Sequence, residues 1–285
     1  MAARMAARIT YVAMGDSAGA GFGVATGTSY VTRVFTRLQQ RDPAARLINL
    51  ASNGATSQTV RDSQVDRAIG VGPTVCSLFI GGNDVWRGVE PTRFARNLAA
   101  IAERLDRARC PVVLGTLPNL SHAPAAGLAE RFLGIPRAQI EGRIEAFNDR
   151  IRRLAMDHSY ALVDLFGAAR LDQHPEYFSD DGFHPSADGH AAWFATMWPA
   201  FARVVPAWLA RLCGVAAASY LRPSFPFTTP TISPFAGNRP VASLLKISSP
   251  STWISKAPPS PRWSSQCSLL PKVPSSSTTR PVARG

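Results

Sequence analysis

The first 213 residues of this 285-residue chain contain no lysine, and the last 72 contain no acidic residue. That split removes the usual meaning of its charge. A formal net charge of +12 and a pI near 10.5 would ordinarily point to nucleic acid or an anionic membrane. Yet residues 1–213 carry 23 Arg against 19 acidic residues, a net of +4, whereas 214–285 carry five Arg and three Lys, a net of +8. Most of the excess is in the tail. No segment reads as a recognition helix or a base-stacking platform, so specific nucleic-acid binding is not expected. Cysteine is also scarce, and Cys76, Cys110, Cys213 and Cys267 have neither metal-ligand spacing nor a paired pattern. Free, reduced thiols are expected, with no metal and no other cofactor. No apolar run reaches the ~18–20 residues of a membrane span, so insertion is not expected either. The opening stretch MAARMAARITYVAMGDS lacks the apolar core of about 7–15 residues that a secretion signal needs. As written, the chain is expected in the cytoplasm; its oligomeric state is not readable.

The residues from 214 onward differ from the body in composition as well as charge. Of these 72 residues 27 are Ser or Pro, with no helical or alternating hydrophobic period. Such a segment buries too little surface to offset its ordering entropy, which predicts a disordered or poorly packed tail. Acidic residues stop at Asp188 and lysine first occurs at Lys246. So abrupt a change is also what translation from a shifted reading frame would produce, and a functional basic tail is the rival reading. The folded domain is placed at 1–213 and the tail at 214–285.

Within the body, strand and helix signals alternate. ITYVAM (9–14), RLINLA (46–51), TVCSLFI (74–80), PVVLGT (111–116) and YALVDLF (160–166) read as five strands. Between them, Val31, Val34, Phe35 and Leu38 share a helical face, as do Phe94, Leu98, Ile101 and Leu105. A long helix carries Ile140, Ile144, Phe147, Ile151 and Leu154, and a weaker helical stretch spans 56–69. The last helix is expected to start after Pro185 and to reach about residue 211, kinked or divided at Pro199. This pattern predicts an α/β fold whose mostly parallel sheet is covered on both faces, with a site at the carboxyl ends of the strands.

Three separated segments hold the chemistry of a serine esterase. MGDSAGAG (14–21) places Ser17 in a glycine-rich turn after the first strand, GGND (81–84) follows the third, and DGFHP (181–185) precedes the last helix. Ester hydrolysis by serine needs a base for the hydroxyl proton, an acid that orients the base, and donors aimed at the developing oxyanion. His184 is the candidate base and Asp181 its partner. Gly54, just after the second strand, offers an amide that a ligand can approach closely, Asn83 a side-chain amide, and Ser17 its own N–H. Asp16 and Asp84 are read as structural, capping turns or bracing loops. His122, His158, His174 and His190 are left without a catalytic role, although His122 could touch substrate.

These segments resemble the SGNH hydrolases, the GDSL-type esterases and lipases, over roughly residues 8–210. The matching residues are GDS at 15–17 with Gly21, Gly54 five residues after Asn49, Gly81-Gly82-Asn83-Asp84, and DxxHP at 181–185. The resemblance implies a flavodoxin-like three-layer α/β/α sandwich with a five-stranded sheet. It also implies Ser17 as nucleophile, Asp181 and His184 as the rest of a triad, and Ser17, Gly54 and Asn83 as the oxyanion hole. Ala18 stands where the GDSL name has Leu.

Other motif matches fail on order. GDSAG satisfies G-x-S-x-G, but an α/β-hydrolase elbow follows several strands, and its acid is not three residues before its histidine. Chymotrypsin-like proteases place His and Asp ahead of Ser. For substrate, Trp86 and the apolar segment 117–136, with Leu117 and His122, are candidates to wall an acyl pocket; the segment is equally readable as scaffold. Small-molecule carboxylic esters of short to medium acyl chains are expected, with thioesters or lysophospholipids as variants. A carbohydrate O-deacetylase and a non-catalytic binding module of the same fold are the alternatives.

Overall fold

The computed structural model describes residues 8–212; the expectations for 214–285, and for Cys213 and Cys267, lie outside them. Strand β1 (Thr10–Gly15) is followed by the short α1 (Ser17–Ala20) and by α2 (Tyr30–Gln39). β2 (Arg46–Asn49) leads into a helical segment made of α3 (Ser57–Thr59), a π turn (Val60–Gln64) and α4 (Val65–Gly70). After β3 (Val75–Phe79) come α5 (Gly82–Trp86) and α6 (Pro91–Arg107), then β4 (Val112–Gly115), α7 (Pro124–Leu133) and α8 (Arg137–Asp157). β5 (Ala161–Val163), the short α9 (Leu165–Ala168) and α10 (Ala187–Leu212) complete the described chain.

The five strands form one parallel sheet in the order β2-β1-β3-β4-β5. Their side chains alternate between two cores, as the two-residue period of a strand requires. Val12, Met14, Cys76, Leu78, Val112 and Leu114 face α4, α6 and α8, whose Phe94, Leu98, Ile101, Ile144, Phe147 and Ile151 are buried. Tyr11, Ala13, Val75, Phe79 and Val113 face α2 and α10, against Val31, Val34, Leu38, Met197 and Phe201. Both faces are covered, so the strands read as near-continuous apolar runs. Tyr11 reaches across the sheet layer to Ser77, Oη to Oγ 2.8 Å, which satisfies both buried hydroxyls. Cys76 and Cys110 are free and buried.

Strand order decides where a ligand can sit. The chain leaves β1 for the edge strand β2 and returns to β3 on the other side of β1, so the connections diverge above β1 and β3. A crevice opens there, at the carboxyl ends. Gly15 pairs with Phe79, which brings those two ends level. Ser17, two residues past Gly15, and Asn83, four past Phe79, both line that crevice.

Three local expectations are corrected. The fifth strand stops at Val163, because the Asp164 side chain accepts the Phe166 N–H and starts α9. Half of the segment 117–136 is helical: Pro124 opens α7, where its missing N–H costs nothing, and Gly134 ends it in the left-handed region. The last helix is not divided at Pro199: Trp193, Met197, Ala200, Phe201 and Val205 form a buried stripe that runs across it. As expected, that helix starts after Pro185. Ser186 caps it, accepting the Gly189 N–H at 3.1 Å, while Pro185 forms an antiparallel bridge to Phe178.

Candidate active site

Ser17 is the first residue of α1, and the Asp16 carboxylate caps that turn by accepting the Ala18 N–H at 3.2 Å. The cap turns the chain sharply at the end of β1 and leaves the Ser17 hydroxyl over the crevice. Ser17 is nearly buried, 7% exposed. The partner comes from a tight loop between β5 and α10. Phe178 bridges Pro185, Ser179 N–H donates to the His184 carbonyl at 2.8 Å, and Gly182 N–H donates to the Ser179 carbonyl at 2.8 Å. From outside, Ala125 N–H at the start of α7 holds the Gly182 carbonyl at 3.0 Å. The loop is pinned at both its neck and its tip.

Inside the loop, Asp181 Oδ1 accepts from the backbone N–H groups of Phe183 and His184, each at 2.9 Å, and from Ser179 Oγ at 2.8 Å. Its Oδ2 lies 2.5 Å from His184 Nδ1. Desolvation pushes this carboxyl up, but the bonds from His184, Phe183 and Ser179 outweigh it and hold the pKa at about 2. An ionised carboxylate only accepts, so Nδ1 carries the proton and Nε2 is left as an acceptor. Nε2 lies 2.8 Å from Ser17 Oγ. Phe22 and Phe183 flank the imidazole, with ring centroids 4.6 and 5.1 Å away. The arrangement can draw a proton off the serine hydroxyl and stabilise the imidazolium that results.

The sequence-predicted donors are placed as follows. Asn83, in the first turn of α5, donates one Nδ2 proton to the Ala55 carbonyl at 2.9 Å, which orients the amide and leaves its second proton for a ligand. Gly54 stands in the turn between β2 and α3 at φ +72°, and Arg87 grips its carbonyl at 3.0 Å. Asn83 lines the crevice with Ser17 and His184; Gly54 does not line it, but is tied to it through Ala55 and Arg87. Leu117 is among the lining residues. Trp86 is set back, touching the crevice through an edge-on contact with Phe183 at 5.7 Å. His122 is exposed and outside it.

From Ser17 an apolar cavity of about 60 Å³ runs over the ends of β3, β4 and β5, bounded by Phe79, Leu117, Leu165, Leu171, Phe178 and Trp193. Gly115 makes room for its floor: a Cβ there would come 1.8 Å from the Phe79 ring. Among the described residues no cluster of His, Cys, Asp and Glu is arranged to hold a metal.

Residues outside the Ser17–His184–Asp181 relay support the site from below. Asp84 is 1% exposed and accepts from Ser57 N–H at 2.8 Å and Ser57 Oγ at 2.6 Å; Asn97 donates to that hydroxyl at 2.9 Å and is itself held by Arg61 at 2.7 Å. Burial pushes the Asp84 carboxyl up, against the opposing bonds from Ser57. Desolvation likewise pushes Asp16 up, to about 7, with the Asp84 charge adding to it against the bond from Ala18. His190, behind the site in α10, accepts the Tyr30 N–H at 3.3 Å, and desolvation lowers its pKa to about 4. Its role is in the core. No sequence motif marks Ser57, Asn97 or Gln64, because their importance depends on which way a helix faces.

The family model described as GDSL-like lipase/acylhydrolase matches residues 13–192. Esterase TesA of Pseudomonas aeruginosa is 26% identical over 200 residues, covering 69% of this chain and 89% of its own. The GDSL-like esterase Rv1075c of Mycobacterium tuberculosis is 31% identical over 185 residues, covering 62% of this chain and 56% of its own. The crystal structure of an acetyl xylan esterase, AlAXEase, superposes with a TM-score of 0.55 at 23% identity, covering 67% of this chain and 99% of that one. Matched over more than half its length, with a serine, a histidine and a carboxylate in one relay above a parallel sheet, this chain belongs to the GDSL-like lipase/acylhydrolase family and is a serine hydrolase of ester bonds.

Proposed function

We propose that the chain hydrolyses small carboxylic esters of short to medium acyl chains through an acyl-enzyme intermediate, with Ser17 as nucleophile, His184 as base and then acid, and Asp181 as its orienting partner. The observation that carries this reading is the 2.8 Å contact between His184 Nε2 and Ser17 Oγ, with Nδ1 committed to an ionised carboxylate. Ser17 Oγ attacks the ester carbonyl as its proton passes to Nε2. The charge that collects on the carbonyl oxygen is met by the N–H groups of Ser17 and Gly54 and by Asn83 Nδ2. Collapse expels the alcohol, which takes the proton back from His184. Water then enters by the same route, activated by His184, and releases the acid.

The acyl group is assigned to the apolar cavity. At about 60 Å³ it is small, which suits a short chain. Longer chains would have to lie along the open crevice. That size also supports a second reading, an O-deacetylase acting on acetylated sugars, since an acetyl group is the smallest occupant. Thioesters and lysophospholipids offer the same carbonyl and stay within the proposal.

A fluorophosphonate probe together with a p-nitrophenyl ester series of increasing chain length tests these points. Labelling and hydrolysis are expected in the wild type and neither in Ser17→Ala. A folded wild type that is neither labelled nor active would sink the proposal in favour of a binding module. A rate confined to acetyl esters and acetylated xylan would select the deacetylase.

A further inference from the structure

The oxyanion donors proposed above come from separate segments: Ser17 follows β1, and Gly54 follows β2. Their spacing has to be held by something. Beneath both lies Gln64, 2% exposed, a polar side chain whose amide must be satisfied inside the protein. Its Oε1 accepts the Gly15 N–H at 2.9 Å, and its Nε2 donates to the Gly15 carbonyl at 2.9 Å and to Ser52 Oγ at 3.3 Å. Ser52 N–H also donates to the Gly15 carbonyl, at 3.2 Å. Gly15 stands two residues before the nucleophile and Ser52 two before Gly54. One side-chain amide thus grips the backbone of the first turn and the side chain of the second.

Two further features show how specifically this contact is built. Gly15 has φ +151°, and a Cβ there would lie 2.3 Å from the Phe79 carbonyl oxygen, so the strand end adopts a backbone shape reserved for glycine. That shape turns its N–H to the Gln64 side chain. On the other partner, Gln64 is the last residue of the π turn Val60–Gln64. Across this turn the Val65 N–H bonds to the Val60 carbonyl five residues back, and Val60, Gln64, Val65 and Ala68 are all buried. One amide on this inner, otherwise apolar face reaches the strand end.

We infer that Gln64 is a positioning residue that fixes the Ser17 turn against the Gly54 turn, and so sets the geometry of the oxyanion hole; this rests on the assignment of Ser17 and Gly54 made above. It touches no reacting atom. Loss of its bonds lets the two turns drift apart, and a displacement near 1 Å at a catalytic group costs on the order of 10²-fold in rate. The loss falls on the transition state, where the oxyanion exists, and little on the ground state.

The test compares Gln64→Met, which fills the same space without an amide, with Val65→Ala, which removes core packing from the next residue. Kinetics are measured well below both melting temperatures, with Ser17→Ala alongside. Gln64→Met is expected to lower kcat by about 10–100-fold with KM changed less than about threefold. Its rate of fluorophosphonate labelling should fall in parallel, and the shape of its pH–rate profile should not move. Val65→Ala should lose thermal stability and keep kcat within about twofold. Equal kcat in Gln64→Met and wild type, or equal losses in Gln64→Met and Val65→Ala, overturns the inference. If Gln64→Met does not fold, Gln64→Asn is measured in its place, with the same kcat loss expected and an unchanged kcat decisive against. Activity surviving in Ser17→Ala instead overturns the underlying assignment, which separates the two failures.

Discussion

His184 Nε2 lies 2.8 Å from Ser17 Oγ although 167 residues separate them in the chain. Ser17 is placed by the end of β1 and His184 by a loop locked between α7 and α10, so the contact depends on the whole sheet being assembled. Its consequences can be measured residue by residue.

Asp181→Asn should lower kcat by about 10³–10⁴-fold with the protein still folded, because an amide cannot hold the imidazole in the tautomer that leaves Nε2 free. Steady-state kinetics beside a thermal melt checks this. The acid itself also links to pH. With its folded pKa held at about 2, below the ordinary aspartate value, its ionisation stabilises the fold above about pH 4, and that contribution is lost as pH falls from about 4 to 2.

Asn83→Ala should reduce kcat by about 10²–10³-fold with a smaller change in KM, since the amide serves a charge that develops only in the transition state. Binding of a non-hydrolysable ester analogue should change little. A variant that loses affinity and keeps its turnover would show that Asn83 grips the ground state instead.

Asp16→Asn should raise the melting temperature at pH 8 and leave it nearly unchanged at pH 4. Burial lifts the Asp16 pKa to about 7, so the folded protein binds this proton more tightly than the unfolded chain. Stability therefore falls as pH rises from about 4, and the fall is complete above about 7. Asparagine caps a helix as well as aspartate and carries no charge to desolvate. A melting temperature lowered equally at both pH values would refute the linkage.

Leu171→Ala should move the optimum of the acyl-chain series to longer esters, because Leu171 lines the apolar cavity and its loss enlarges it. Leu171 is 6% exposed, so a stability cost of about 2–4 kcal/mol is expected alongside. An unchanged optimum in a folded variant would place the acyl group elsewhere.

The elements were legible wherever the hydrophobic period was long and clean. Ile140, Ile144, Phe147 and Ile151 share one face of α8 in both sequence and structure. Boundaries were legible only where a cap could be recognised; Asp164 ends β5 early by bonding to Phe166, and the run YALVDLF gives no warning of it. The division expected at Pro199 does not occur, because the loss of one helical hydrogen bond is a local cost, while the buried stripe from Trp193 to Val205 is a tertiary gain.

By itself the sequence determined the chemistry and the order of its parts: a serine after the first strand, an asparagine after the third, and an aspartate three residues before a histidine ahead of the last helix. Those are properties of residue type and spacing, which a linear chain carries whole. Only the tertiary structure decided that His122 stands outside the crevice, that Trp86 reaches it through Phe183, and that Gln64 and Ser57 lie under it. The direction in which a side chain points is set by strand pairing and by helix rotation, here including a π turn, and no residue encodes that alone.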